Sequence, residues 1–108
     1  MNKTLNDLYN VILDRKEHPQ QGSYTGYLFE QGLDKILKKL AEECGETIIA
    51  AKNGKKDEIV YESCDLIYHL LVMLAKAGIG IDEIENELKR RSAKTGNLKP
   101  AKKVDRDS

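Results

Sequence analysis

The chain has 108 residues, and its 18 Lys and Arg are balanced by 18 Asp and Glu, so the formal net charge is zero. That length suits one domain with a single modest core, and the balance excludes a global pull toward nucleic acid or an anionic membrane surface. Cys44 and Cys64 show no CxxC or histidine spacing, which excludes an ordinary zinc site; in their apolar surroundings they read as small core residues, not a disulfide.

The first predicted helix starts at Thr4 as its cap, with Asp7 in the first turn and Leu5, Leu8, Tyr9, Ile12 and Leu13 on its inner face. It ends near Lys16, because Pro19 disfavours helical geometry at His18. Glu17 to Gly32 reads as a long loop, with at most a helical turn at Tyr27 to Gln31. Within it, Gly22-Ser23-Tyr24-Thr25-Gly26 sets two hydroxyls and an aromatic ring between glycines. That composition suits a phosphate, ribose or base, and suits a plain surface loop equally well.

The second predicted helix runs from Leu33 to Lys52 and stops at Asn53-Gly54. Stepping 100° per residue, Leu33, Ile36, Leu37, Leu40, Cys44, Ile48 and Ala51 form an apolar stripe. Glu42, Glu43, Glu46, Lys35 and Lys39 fall opposite, as either an ordinary solvated face or one half of a site. The third helix is capped by Asp57 and ends at Gly78. It is apolar nearly all round, through Ile59, Val60, Leu66, Ile67, Leu70, Leu71, Val72, Met73, Leu74 and Ala75. Yet Glu62, Asp65 and His69 lie within roughly 60° of one another on its wheel. Carboxylates on a buried helix must be paired or metal-bound, unless this stripe is simply the helix's one wet edge, continued by Lys76. His69 reads as a hydrogen-bonded core histidine and not as a ligand.

The link at Asn53 to Lys56 is short, so these two helices are antiparallel neighbours with their acidic groups at comparable distances from the turn. Four or five carboxylates around one point make oxygen-rich ground, which suits Mg²⁺ or, as a substitute, Mn²⁺. After Gly78-Ile79-Gly80, Asp82 with Glu85 caps a fourth helix, with Ile84 and Leu88 inward and Arg90 and Arg91 at its cationic end. The folded domain is thus expected over residues 1–91, and 92–108 as a basic, disordered tail. The fold class is all-α, a four-helix bundle-like domain. A helix apolar on every side has too few partners in so small a bundle, so a homodimer or a dimer of dimers is expected. Leu70 to Ala75, the longest strongly apolar run, is far short of a membrane span, and Met1-Asn2-Lys3-Thr4 opens on no apolar signal segment. A cytoplasmic protein with no nucleic-acid or membrane partner is expected.

Glu42-Glu43-x-x-Glu46 followed by Glu62-x-x-Asp65 resembles the signature of the all-α, MazG-like nucleoside triphosphate pyrophosphatases. Within that superfamily the chain is similar to the phosphoribosyl-ATP pyrophosphatase family. The similarity is carried by Gly22-Ser23-Tyr24-Thr25, Gly32-Leu33-Asp34-Lys35-Ile36-Leu37-Lys38-Lys39, Ala50-Ala51-Lys52-Asn53-Gly54 and Glu62-Ser63-Cys64-Asp65-Leu66-Ile67-Tyr68-His69-Leu70-Leu71. It runs from about Leu5 to Arg91, and departs from the family pattern at Ala41, where glycine is expected, and at Gly45, a poor helix former inside the motif.

The resemblance implies Mg²⁺-dependent hydrolysis of phosphoribosyl-ATP to phosphoribosyl-AMP and pyrophosphate, the second step of histidine biosynthesis. It implies Glu43, Glu46, Glu62 and Asp65 as metal ligands, with Glu42 a further ligand or the base that activates water, and Glu42, Glu43 and Glu46 as the catalytic set. It also implies Ser23, Tyr24 and Thr25 as substrate contacts, while Arg15, Lys35, Lys38, Lys39 and Lys52 are candidates for phosphate. Two other functions stay open: a house-cleaning pyrophosphatase for non-standard or surplus nucleotides, and a non-enzymatic helical dimerisation module. The chain is too short to carry the cyclohydrolase domain to which members of the family are often fused.

Overall fold

A computed structural model describes residues 2–93. Among them every regular element is helical: α1 (Lys3–Glu17), α2 (Tyr24–Gln31), α3 (Leu33–Asn53), α4 (Lys56–Ala77) and α5 (Ile81–Ser92). The all-α expectation holds, with one helix more than the four expected. The basic segment 92–108 lies outside the described residues except for Ser92, which closes α5, and Ala93, its C-cap.

The extra helix, α2, replaces most of the expected loop between Glu17 and Gly32. Ser23 starts it, its hydroxyl oxygen accepting from the Gly26 N–H at 3.0 Å. The glycines that made this stretch look irregular are compatible with it, because Gly22 turns the chain outside the helix at φ 84°. Three other starts differ from expectation by one or two residues. Asn2, not Thr4, caps α1 by accepting from the Leu5 N–H at 3.0 Å. Lys55 precedes α4, leaving Asp57 and Glu58 in its first turn, where the helix dipole favours acids. Gly80 precedes α5, and its N–H is taken by the Glu83 carboxylate at 2.8 Å, which leaves Asp82 inside the first turn.

Gly54 and Gly78 end α3 and α4 in the left-handed region, with φ of 73° and 74°. The turn at Gly54 makes α3 and α4 the most extensively packed pair in the fold. Thr47 marks their register: its hydroxyl donates its one proton mainly to the Glu43 carbonyl at 2.7 Å and shares it with the Glu62 carbonyl across the interface at 3.2 Å. Thr47 lies seven residues before Gly54 and Glu62 seven after Lys55, so the two helices run antiparallel with no slip.

One core cluster joins Tyr9 and Ile12 of α1, Leu28 of α2, Ile36 of α3, Leu71, Val72, Leu74 and Ala75 of α4, and Ile81 of α5. Leu5, Leu8 and Leu13 pack against it, as expected for the inner face of α1. The stripe expected to bury α3 does not do so. Ile36 is buried, but Leu33, Leu37 and Ile48 are exposed, Ile48 at 69%. Cys44 and Cys64, expected in the core, are exposed thiols. The face of α3 turned inward is Ile36, Leu40, Glu43, Thr47 and Ala50, all buried or half-buried and spaced three and four apart. A helical wheel ranks faces by hydrophobicity, whereas the short turn at Gly54 decides which face α4 meets. The same turn leaves the amino-terminal half of α4 with Val60 and Tyr61 exposed. Helix α3 runs unbroken through Ala41 and Gly45.

The docking of α2 rests on Leu28, which has no solvent exposure and is the only buried residue of that helix. Leu28→Ala should cost about 2–5 kcal/mol, the usual range for a fully buried leucine, read as a lowered urea midpoint by far-UV circular dichroism. A loss under about 1 kcal/mol would mean that α2 is not held by the core.

Candidate functional site

Helices α3 and α4 meet at carboxylates. Glu43 is only 5% exposed, and Glu62 and Asp65 are half-buried on the facing helix. One oxygen from each of the three lies within 4.8 Å of the others. Glu43 Oε2 and Glu62 Oε2 are buried with no hydrogen-bond partner. The stripe of Glu62, Asp65 and His69 is therefore the inner side of the α3–α4 interface and not a wet edge.

Glu46 stands exposed at the rim, beside both buried acids. Burial raises the Glu43 carboxyl above its usual range, and the charges of Glu46 and Asp65 raise it further, with His69 acting in opposition. Glu62 is raised for the same reasons, burial first and then Glu46, Asp65 and Glu43. Water-excluded like charges with unpartnered oxygens require protons or a cation. A hard divalent ion bound by oxygen at 2.0–2.6 Å brings its ligands to within about 3–5 Å of each other, so the donor set present fits such an ion.

The cations lie to one side. Lys39 Nζ is 3.1 Å from Glu42 Oε2 and 3.7 Å from Glu43 Oε1. Its hydrogen bond holds the Glu42 carboxyl below the usual range, with Lys38 and Lys35 adding to the effect. Lys35 also sits over the Tyr27 ring, 5.9 Å from its centre. Lys52 is exposed on the last turn of α3, about 9 Å along the axis from Glu46.

Next to the acids, α1 and α2 enclose a groove of about 920 Å³, with Arg15, Gln21, Ser23, Tyr24, Tyr27 and Phe29 among its walls. Arg15 bonds Asp14 at 2.8 Å at its mouth. Tyr24 belongs to both regions. Its ring stacks at 6.2 Å on Tyr27 and 6.3 Å on Tyr68, and its hydroxyl is 3.1 Å from His69 Nε2. Burial raises the Tyr24 phenol pKa, the Lys39 charge lowers it, and the Glu43 charge raises it, which places the phenol within electrical reach of the acid cluster.

The structure thus joins Glu43, Glu62 and Asp65 into one cluster with Glu46, and Glu42, Lys39 and Tyr24 at its margin. Arg15 and Ser23 line the groove with Tyr24, and Lys52 stands apart on the last turn of α3. The hydroxyls of Ser23 and Thr25 already have structural partners, Ser23 as the α2 cap and Thr25 in a hydrogen bond with the Tyr68 hydroxyl. Sequence reasoning missed Thr47, Tyr27 and Tyr68. Thr47 carries a legible signal, a β-branched hydroxyl four residues after Glu43 in a helix interior; the two tyrosines become visible only once α2 is known to be a helix. His69 is hydrogen-bonded in the core, as expected, its Nδ1 at 2.8 Å from the Asp65 carbonyl.

Comparison with known proteins is unambiguous. The family model described as phosphoribosyl-ATP pyrophosphohydrolase matches residues 5–92. The phosphoribosyl-ATP pyrophosphatase of Clostridium novyi is 52% identical over 99 residues, covering 92% of this chain and 90% of that protein. That of Listeria welshimeri is 52% identical over 101 residues, 94% of this chain and 97% of the other. The histidine biosynthesis bifunctional protein HisIE of Thermoanaerobacter pseudethanolicus is 60% identical over 85 residues, 79% of this chain but 39% of that longer protein.

The raised carboxyls carry a sign that can be measured. Above the ordinary carboxylate range the native state keeps protons on Glu43 and Glu62 that the unfolded chain has lost, so stability falls as pH rises through that window. The depressed acids do not offset this, because Glu87, held at about 2 by Arg90 and Arg91, is ionised well below it. In chelator, the protein should melt higher at about pH 5 than at about pH 7.5, and Glu43→Gln should shrink the difference. A metal-free protein that is more stable at the higher pH would contradict the buried cluster.

Proposed function

The chain belongs to the phosphoribosyl-ATP pyrophosphohydrolase family, and from that premise we propose that it hydrolyses phosphoribosyl-ATP to phosphoribosyl-AMP and pyrophosphate in histidine biosynthesis, with Mg²⁺ as its metal and Mn²⁺ as a substitute. The observation that carries the reading is the pair of buried, unpartnered carboxylate oxygens on facing helices, with the Lys39 ammonium group 3.7 Å from Glu43 and Lys35 over the Tyr27 ring of the neighbouring groove.

In this reading Glu43, Glu46, Glu62 and Asp65 hold the metal. When bound, the ion neutralises phosphate oxygens and so lowers the barrier to attack by water. Lys39, with Lys38 next to it and Lys35 one turn before, adds positive charge along the phosphate chain, and Lys52 is the outermost cation. Glu42 stands outside the buried trio and is kept ionised by Lys39, so it is placed to accept the proton of the attacking water. The water oxygen bonds to one phosphorus of the α–β anhydride as the bond to the departing phosphate breaks, and pyrophosphate leaves. The groove takes the nucleoside and phosphoribosyl parts, with Tyr24 and Tyr27 against the base and Arg15 at the far mouth for the second phosphate. Ser23 and Thr25 act there mainly by holding α2 in place.

The apolar face of α3 supports a homodimer. Leu33, Leu37, Ile48 and Ile49 of α3 and Val60, Tyr61 and Ile67 of α4 are all exposed in the single chain. A second copy of the chain would take these side chains out of water. A cytoplasmic location belongs to the same reading, and no single described helix is long and apolar enough to cross a membrane.

Asp65→Asn and Glu46→Gln should each lower kcat for phosphoribosyl-ATP at least about a hundredfold, as loss of several kcal/mol of charge stabilisation requires, with the helical circular dichroism retained. Pyrophosphate release is the readout. Full activity in both variants would refute the ligand assignment, and equal turnover of ATP, dCTP or dUTP would favour the house-cleaning reading.

Light scattering at micromolar concentration should give twice the mass of the 12.2 kDa chain. A monomer would leave the apolar face of α3 without a purpose.

A further inference from the structure

We propose that His69 is a positioning residue for the substrate groove, acting through Tyr24. The inference rests on the proposed reaction for its kinetic readout and on the structure alone for the contact itself.

His69 is 5% exposed and has both ring nitrogens engaged. The Asp65 carbonyl, 2.8 Å from Nδ1, can only accept, so Nδ1 carries the proton. In the neutral ring Nε2 then presents its lone pair, and the Tyr24 hydroxyl at 3.1 Å donates to it. The imidazole is gripped further by the edge of Tyr68, with ring centres 4.9 Å apart and planes at 87°. It therefore has one orientation, set entirely by α4.

Two consecutive residues of α4 meet two consecutive residues of α2 in reverse order: His69 binds Tyr24, and Tyr68 binds Thr25. Only the first of these bonds bears on a side chain that walls the groove. Tyr24 is 45% exposed, so packing alone leaves its ring free to turn, and the bond to His69 holds it stacked beside Tyr27. A ring fixed in advance costs less to order when a nucleoside binds. The contact of His69 with Asp65 goes to the main chain, so loss of the Tyr24 bond takes no hydrogen bond from the acid cluster's carboxylate oxygens. The effect should therefore fall on KM rather than on kcat.

Three variants separate the two nitrogens. Asn at position 69 keeps a donor near the Nδ1 site and loses the Nε2 acceptor, Gln keeps an acceptor near Nε2, and Tyr24→Phe removes the donor. His69→Asn and Tyr24→Phe should each raise KM about three- to tenfold, the worth of one ordinary hydrogen bond, with kcat within about twofold. The double variant should be no worse than either single one, His69→Gln should stay close to wild type, and half-saturation by Mg²⁺ should not move. Multiplying effects in the double variant, a Gln variant as impaired as Asn, or a shifted Mg²⁺ requirement would each overturn the proposal. Should His69→Asn fail to fold, Tyr24→Phe at its half-exposed position still carries the test. A readout independent of turnover is the ¹⁵N spectrum of His69, which should show a protonated Nδ1 and a bare Nε2 whose resonance shifts in Tyr24→Phe. An unshifted Nε2 resonance would refute the contact even in an active enzyme, whereas an inactive wild type with that shift present would refute the reaction and leave the contact standing.

Discussion

Like charges buried face to face between α3 and α4 are the constraint on which the rest of this structure depends. Carboxylates ordinarily occupy the solvent side of a helix, and here Glu43 is turned into the interface opposite Glu62 and Asp65. The arrangement is unfavourable for the isolated chain, since each carboxyl is desolvated and repelled by its neighbours. It persists because the turn at Gly54 and the core packing set the register independently of the acids, with the shared Thr47 proton reaching across to α4. In the proposed reading, a cluster held open by its surroundings would take a cation with little reorganisation of the protein.

The same choice of face has a cost on the other side of α3. With Glu43 turned inward, Leu33, Leu37, Ile48 and Ile49 point outward. The inward acid and the outward apolar face are thus two consequences of one rotation of α3 about its axis. Helix α2 supplies the complementary half of the site. It is short, tied to the core by one leucine and to α4 by two side-chain bonds, and it sets tyrosines between the groove and the acids.

Much of this was legible in the sequence. The acidic pairs three residues apart, on helices joined by a short linker, were enough to place Glu43, Glu62 and Asp65 together, because helical spacing and antiparallel connection are both local rules. The inner face of α1 followed from periodicity in the same way, whereas Leu71, Val72, Leu74 and Ala75, on a helix expected to need a second chain for partners, are buried in this chain's own core. The buried face of α3 was not legible. Its most apolar stripe and its interface stripe compete, and hydrophobicity cannot report which one a turn will present to α4. For that reason Cys44 and Ile48, which look like core residues, are exposed. Helix α2 was hidden because two glycines and a serine read as loop, when the serine is a cap and one glycine lies inside the helix. Tyr68 and the Tyr24 contact of His69 could not be read before that helix was known.

Linkage between metal and fold tests the central claim most directly. A ligand that binds only the native state adds about 2.7 kcal/mol at a hundredfold excess over its Kd, a shift of many degrees for a domain of this size. Thermal melts at about pH 7.5, with Mg²⁺ titrated into chelator-treated protein, should show a saturating rise in Tm for the wild type and little or none for Glu62→Gln. A wild-type Tm indifferent to Mg²⁺, or an equal rise in the variant, would contradict the view that these buried carboxylates exist to hold a cation.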